Sequence, residues 1–316
     1  VTLTASRSDA AVLRRDLTVA ELAVVRAQLA GADPGPAGAA LADLRRQASA
    51  PSPLDVVSEG LGLSAFERAT LLLACGPDLV GEVARELAEH GGGPRLTFAT
   101  ALEKLPGAHW DALTHRGPLR RWQLLCPAEP DVLLTSPLVP DERVVHHLVG
   151  IDTLDERLEL ASRSLDVPPH LPHTYAGVVT DVVSRWRGGS PVVLRGPQPR
   201  TTRALAAATC AAVGLWPRLL GAEALAAGAA GLTTTLQRLV RETVLGRVAW
   251  VLDVDEASAP TVAELGRALT GTESPILLVG STRPGGASLD AVGLPVVDVP
   301  RLGAGERRIT LAGALE

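Results

Sequence analysis

The apolar residues of this chain fall into two regimes that meet near residue 150. In the first, Leu13, Leu17, Leu22, Val25 and Leu29 recur at helical spacing and predict a long opening helix. The run Gly31-Ala32-Asp33-Pro34-Gly35-Pro36 breaks it. A short helix is expected across Ala39 to Gln47, closed by Pro51-Ser52-Pro53. Ser64-Ala65-Phe66-Glu67 has the form of a capping box, in which the serine oxygen accepts from a backbone N–H and the glutamate reaches back. It opens a helix through Leu71, Leu72 and Leu73. Asp78 is the expected cap of another helix, Leu79 to His90, which Gly91-Gly92-Gly93 ends. Arg120 to Leu125 reads as a short strand, Pro127 to Asp131 as a turn, and Val132 to Leu134 as the returning strand. Pro140-Asp141-Glu142 then starts a helix that turns Val144, Val145 and Leu148 inward and stops at Gly150. Helices followed by a two-stranded wing predict a mainly helical, winged-helix-like domain over residues 1–150.

Residues 151–174 read as a connector, punctuated by Pro168, Pro169 and Pro172. From residue 175 to 316 short apolar runs alternate with helical patterns. Val192 to Leu194, Val248 to Leu252 and Ile276 to Val279 are apolar throughout, Arg218 to Leu220 is a further candidate, and Val296 to Val299 is a last short strand. Helices are expected over Val178 to Trp186, over the alanine-rich stretch up to Gly214, along Leu232, Leu236, Leu239, Val240 and Val244, and over Thr261 to Leu269. This alternation predicts an α/β domain whose parallel sheet is covered by helices on both faces.

Composition narrows the classes. Aromatics are scarce, so the core must be built from Leu, Val and Ala. Lys104 is the only lysine, and methionine is absent even at position 1, as expected of a piece of a longer chain from a GC-rich genome. A net charge of -5 argues against nucleic acid as the main partner, because phosphate contacts need a basic face. Cys75, Cys126 and Cys210 are far apart and odd in number, and read as reduced, buried thiols of a cytoplasmic protein. No signal peptide opens the chain, and the longest apolar stretch, Ala204 to Trp216, is too short to span a bilayer.

The stretch Val192 to Ala206 has the order strand, phosphate loop, helix. A working loop reads G-x-x-x-x-G-K-[ST]. Gly196 fills the first glycine, but Thr201 stands at the second glycine, Thr202 at the lysine and Arg203 at the magnesium-binding hydroxyl. Pro197 and Pro199 have no N–H to offer a phosphate. Loss of the lysine alone removes a charge-assisted hydrogen bond of about 1.5–3 kcal/mol. Arg200 or Arg203 could compensate in part. The strand ending at Asp253 resembles the second ATPase motif, four apolar residues and an acid that holds magnesium through water. Val254 stands where the water-activating glutamate belongs, and Asp255-Glu256 offers a shifted alternative. Ser281 and Thr282 follow the next strand, where a polar residue would sense the γ-phosphate. The candidate nucleotide-binding residues are therefore Gly196, Arg200, Thr201, Thr202, Arg203 and Asp253, with no catalytic base and no structural metal site. His146, His147, His170 and His173 read as surface or packing residues, and Arg116, Arg120 and Arg121 as arginines lying over Trp122.

Leu63 to Ala74, Pro118 to Leu125 and Leu138 to Asp152 together resemble the N-terminal domain of a tandem AAA+ ATPase family. That family is found with extracellular contractile injection systems, the phage-tail-like particles of bacteria. The resemblance covers about Pro53 to Arg308. It implies a winged-helix-type region, a degenerate first AAA+-type P-loop module and an intact second module beyond this chain. It also implies that Gly305-Glu306-Arg307-Arg308 begins the first module's lid. Its nucleotide residues map onto Gly196, Thr201, Thr202, Arg203 and Asp253, and three of these depart from the pattern. The expectation is a chain that does not itself hydrolyse ATP, with ATP and Mg as doubtful ligands. It is expected to form part of an ATP-driven remodelling or assembly factor, with its own second module and injection-system components as protein partners and an oligomer in the full-length protein. Two rivals stay open: an atypical ATP-binding switch using Arg200 or Arg203, and a winged-helix DNA-binding regulator with an ATPase-like module.

Overall fold

The computed structural model describes residues 2–91, 93–186, 190–225, 228–270, 272, 274–281 and 293–306. The chain divides into two compact units, residues 1–154 with 244–246 and residues 155–243 with 247–316.

The first unit is helical. It holds α1 (Thr2–Leu29), α2 (Gly35–Gln47), α3 (Pro53–Leu61), α4 (Ala65–Leu79), α5 (Glu82–Gly91) and α6 (Phe98–Lys104). A 3-10 turn (Trp110–Leu113), α7 (Pro118–Arg121), the strands β1 (Leu125–Pro127) and β2 (Leu138–Pro140), and α8 (Glu142–Leu148) follow. Its core joins Leu22 and Leu29 of α1, Leu54 and Val57 of α3, and Phe66 and Leu71 to Leu73 of α4. The capping box at Ser64 forms: its oxygen accepts from the Glu67 N–H at 3.2 Å, and Glu67 accepts from the Ser64 N–H at 2.9 Å. A second box at Ser52 and Asp55 starts α3. There the proline expected as a stop occupies the first turn, where its missing N–H is harmless.

The wing is present, but its strands lie further along than the sequence predicts. Gly117-Pro118 sets a helical turn, so Pro118–Arg121 is helix and not strand. β1 starts only at Leu125 and pairs antiparallel with β2, Cys126 facing Val139. Val132 to Leu134 lies in the turn between them, where the Val132 N–H donates to the Glu129 carbonyl. Both strands alternate buried, exposed, buried. Asp78 caps nothing. It sits inside α4, which runs on through Pro77, and forms a two-pronged ion pair with Arg95 at 2.8 and 2.9 Å.

The second unit contains α9 (Glu156–Ala161), β3 (Ser162–Ser164), α10 (His173–Trp186), β4 (Val192–Gly196), α11 (Pro199–Ala212) and β5 (Trp216–Gly221). After a 3-10 turn (Ala222–Leu225) come α12 (Gly228–Gly246), β6 (Val248–Asp253), α13 (Ala259–Leu269), β7 (Ile276–Ser281) and β8 (Val296–Asp298). The sheet order is β3-β5-β6-β7-β4-β8. Strands β5, β6, β7, β4 and β8 run parallel, and β3 is antiparallel at the edge. So the stretch expected as a connector contributes a helix and an edge strand. Asp155 fixes that stretch: it accepts from the Arg157 N–H to cap α9 and takes the buried Arg241 of α12 at 2.8 Å.

Right-handed crossovers fix the faces. The step from β4 to β5 runs one way along the sheet and puts α11 on one face. The steps from β5 to β6 and from β6 to β7 run the other way and put α12 and α13 on the opposite face. Alternate residues agree. Val192, Leu194, Ala249, Val251 and Leu277 join a core with α10 and α11. Trp250 points the other way, and its indole donates to the Leu239 carbonyl of α12 at 2.8 Å.

Candidate functional site

β4 sits where the order of the sheet reverses. The chain leaves it for β5, walks back through β6 and β7 to its flank, and then places β8 on its far side. Open α/β sheets bind ligands at the carboxyl ends of strands at such a reversal. Gly196, Asp253 and Ser281 close β4, β6 and β7 at that end.

The link from β4 to α11 is only Pro197 and Gln198, because the helix already starts at Pro199. The extended loop that a phosphate nest requires is therefore not formed. Pro199 at the first helical position offers no N–H, and no side chain caps the helix. Thr201 donates its hydroxyl to the Gln198 side chain at 3.1 Å. Thr202 is buried, and both its hydroxyl and its N–H donate to the Gln198 carbonyl at 3.1 Å. Arg200 is exposed and makes no hydrogen bond or ion pair among the described residues.

Gly196 is tightly enclosed. A Cβ there would lie 2.6 Å from the Thr202 hydroxyl and 3.0 Å from Cβ of Val299. The space its missing side chain opens is taken by the chain itself. The lysine position thus supplies neither charge nor reach. It supplies the hydroxyl that fills the glycine's open face.

Arg203 reaches across to Asp253. Its Nε donates to Oδ2 at 2.7 Å and its Nη2 lies 2.5 Å from the same oxygen. Asp253 is 12% exposed at the side chain, and its Oδ1 accepts from the Asp255 N–H at 3.1 Å. Asp255 in turn accepts from the Ser281 N–H at 2.6 Å. One chain of contacts therefore ties the first turns of α11 to the ends of β6 and β7. In a nucleotide site a metal ion would sit between the hydroxyl at the Arg203 position and Asp253. Here a guanidinium spans that gap, and the residues present do not fit a phosphate-bound magnesium. β6 ends at Asp253, and Val254 after it is buried and donates its N–H to the Val279 carbonyl at 3.0 Å, so Asp253 is the strand-end acid and the next position carries no carboxylate. Thr282 lies outside the described residues. A cleft of about 550 Å³ adjoins the pair and is lined by Ser162, Leu219, Glu223 and Glu256 besides Arg203 and Asp253. Sequence reasoning missed the Arg203–Asp253 contact. Its signal was a cation at the hydroxyl position paired with an unmatched strand-end acid.

In the first unit, His147 is buried, and burial, helped by Arg143, pushes its pKa down to about 4. It is a packing residue. Arg121 lies over Trp122, 4.4 Å from the ring centroid, while the indole donates to the Leu61 carbonyl at 3.0 Å. Cys126 is exposed, in contrast to the expected buried thiol, because its strand turns it outward between Leu125 and Pro127. Cys75 and Cys210 are buried.

A family model described as "Winged helix domain, variant" matches residues 38–162. This part of the chain is a winged helix domain. No curated protein matches the chain. The charge of the winged helix unit is distinctive: residues 1–154 carry 14 Lys/Arg against 19 Asp/Glu, whereas residues 155–316 carry 16 of each. The whole net charge of -5 therefore resides with the winged helix domain and its leading helices. Among the described residues no group of three or more His, Cys, Asp or Glu side chains could hold a metal. No helix among them is long and apolar enough to cross a membrane.

Proposed function

We propose that this chain is the non-hydrolysing part of an AAA+-type remodelling or assembly factor. In this reading a winged helix domain precedes a P-loop-derived module whose nucleotide site is closed by its own side chains. The ion pair between Arg203 and Asp253 carries the proposal. It sits where an ATPase of the resembling family would bridge hydroxyl and acid with magnesium. Support comes from the strand-turn-helix at Gly196, the enclosure of that glycine by Thr202, and the reversal of strand order at β4. The resemblance of Leu63 to Ala74, Pro118 to Leu125 and Leu138 to Asp152 supports a role with a contractile injection system, acting on protein partners in the cytoplasm. The module then serves as a rigid joint, and hydrolysis belongs to a second module.

The same pair speaks against the ATP-switch rival in its Arg203 form, while the exposed Arg200 leaves the other form to the ATP titration. An arginine held by an aspartate 2.5 Å away is not free to replace the lysine. The DNA-binding rival meets an acidic winged helix unit, which repels phosphate.

Melting the chain with and without ATP–Mg tests the proposal, since a ligand stabilises by RT ln(1 + [L]/Kd). The expected result is no rise in Tm below millimolar ATP and no phosphate release. A rise at micromolar ATP, or phosphate release that stops on replacing Asp253, would contradict it.

A further inference from the structure

The helix α2 lies on α1 but builds none of the core. None of its residues is buried, and Ala37, Gly38, Leu41 and Leu44 are half-buried at helical spacing. Beside them, between α1, α3 and α4, is a cleft of about 360 Å³ bordered by Val25, Leu54, Ala69 and Leu72, with Leu41 and Arg45 of α2 also lining it. The joint is thus not close-packed as a core is. Chain breaks flank the helix: Gly31 takes φ 64° before it, and residues 48–52 are neither helix nor strand after it.

Among the described residues, Arg45 is the one side chain of α2 that hydrogen-bonds to another helix. Its Nη2 donates to Oε1 of Glu21 on α1 at 2.9 Å and to Oδ1 of Asp55 on α3 at 3.3 Å. Glu21 is 3% exposed, and the same oxygen accepts from Arg68 of α4 at 2.7 Å and from Ser52 at 2.9 Å. Asp55 also pairs with Arg68, at 2.6 Å. When Arg45 leaves, both carboxylates keep a cation, so no buried charge is stranded.

We propose that α2 is a releasable strap, latched by Arg45 onto Glu21 and Asp55, whose lifting opens the cleft while α1, α3 and α4 stay folded. Lifting it breaks half-buried contacts and one arginine's ion pairs. Opening α1 or α4 instead breaks up the core around Leu22, Phe66 and Leu72. Every residue used lies in the winged helix unit, so the strap does not depend on the nucleotide site.

A lifted helix of 13 residues does not hold its own hydrogen bonds in water, so its amides exchange at each opening. Hydrogen–deuterium exchange of the full chain, read by mass spectrometry, tests the proposal. The amides of α2 should exchange at least roughly tenfold faster than those of α4. Arg45→Ala should speed α2 by roughly a further fivefold and leave α4 unchanged. Arg46→Ala, whose ion-pair partner Asp43 lies within α2, should not. Both arginines are exposed, so the variants keep the fold. Protection of α2 equal to that of α4 overturns the proposal. So does an Arg45→Ala variant whose α2 exchanges no faster, or no faster than in Arg46→Ala, or whose α4 loses protection in step.

Discussion

Arg203 and Gly196 show how single residues set what this site can do. Arg203 was legible as a departure from the phosphate-loop pattern, but its partner was not, since 50 positions separate it from Asp253. Only the sheet brings them together. Removing the cation leaves a mostly buried carboxylate uncompensated, so Arg203→Ala should cost about 1–2 kcal/mol, discounted for the part of the arginine that solvent reaches. Urea midpoints should show the loss, with Arg203→Lys falling between the two. Gly196→Ala should also destabilise, by about 1–3 kcal/mol, because the new Cβ meets the Thr202 hydroxyl at 2.6 Å. Adding Thr202→Ala should recover part of that, as the Val299 contact remains. His147 gives the pH prediction. In the unfolded chain it titrates near 6.5 and in the fold near 4. The unfolded state therefore takes up the proton first. Its contribution to stability is complete above pH 6.5 and is lost as pH falls towards 4, by roughly 3 kcal/mol at most. Unfolding free energies of wild type and His147→Gln, measured at points between pH 7 and 4, should converge as the pH drops.

Helix starts were legible where a capping side chain lies within four residues, as at Ser64 and Asp141, and not at Asp78, which lies inside α4. The box at Ser64 reads directly from the sequence and forms as expected. The box at Ser52 was hidden, since Pro51-Ser52-Pro53 looks like a stop until Asp55 is seen to complete it. The wing was legible in kind but not in register. Short strands are chosen by which residues alternate into the core, and that choice is made by pairing partners elsewhere. β3 was not legible at all: Ser-Arg-Ser carries no apolar pattern and becomes a strand only by pairing with β5. Ser64→Ala should cost about 1 kcal/mol in thermal or urea unfolding. Ser52→Ala should cost more, because the further partner of Ser52 is the buried carboxylate of Glu21 at 2.9 Å, whereas that of Ser64 is the His109 ring at 2.9 Å.

Over the whole molecule, the alternation of short apolar runs and helical patterns reported the sheet and its two covered faces. Composition reported the net charge, but not that it resides with the winged helix unit. Accessibility of the thiols gives a simple global check. Burial pushes the Cys75 thiol up beyond the ordinary range and Cys210 up to about 12, whereas Cys126 is exposed. A thiol reagent should label one cysteine in the native protein and the other two only on unfolding. The central claim is that this chain closes its own nucleotide site with Arg203 and Thr202. Calorimetric titration of the chain with ATP in the presence of Mg tests it most directly. The account predicts no saturable heat up to about millimolar nucleotide. A saturable, Mg-dependent isotherm with a micromolar Kd would contradict it.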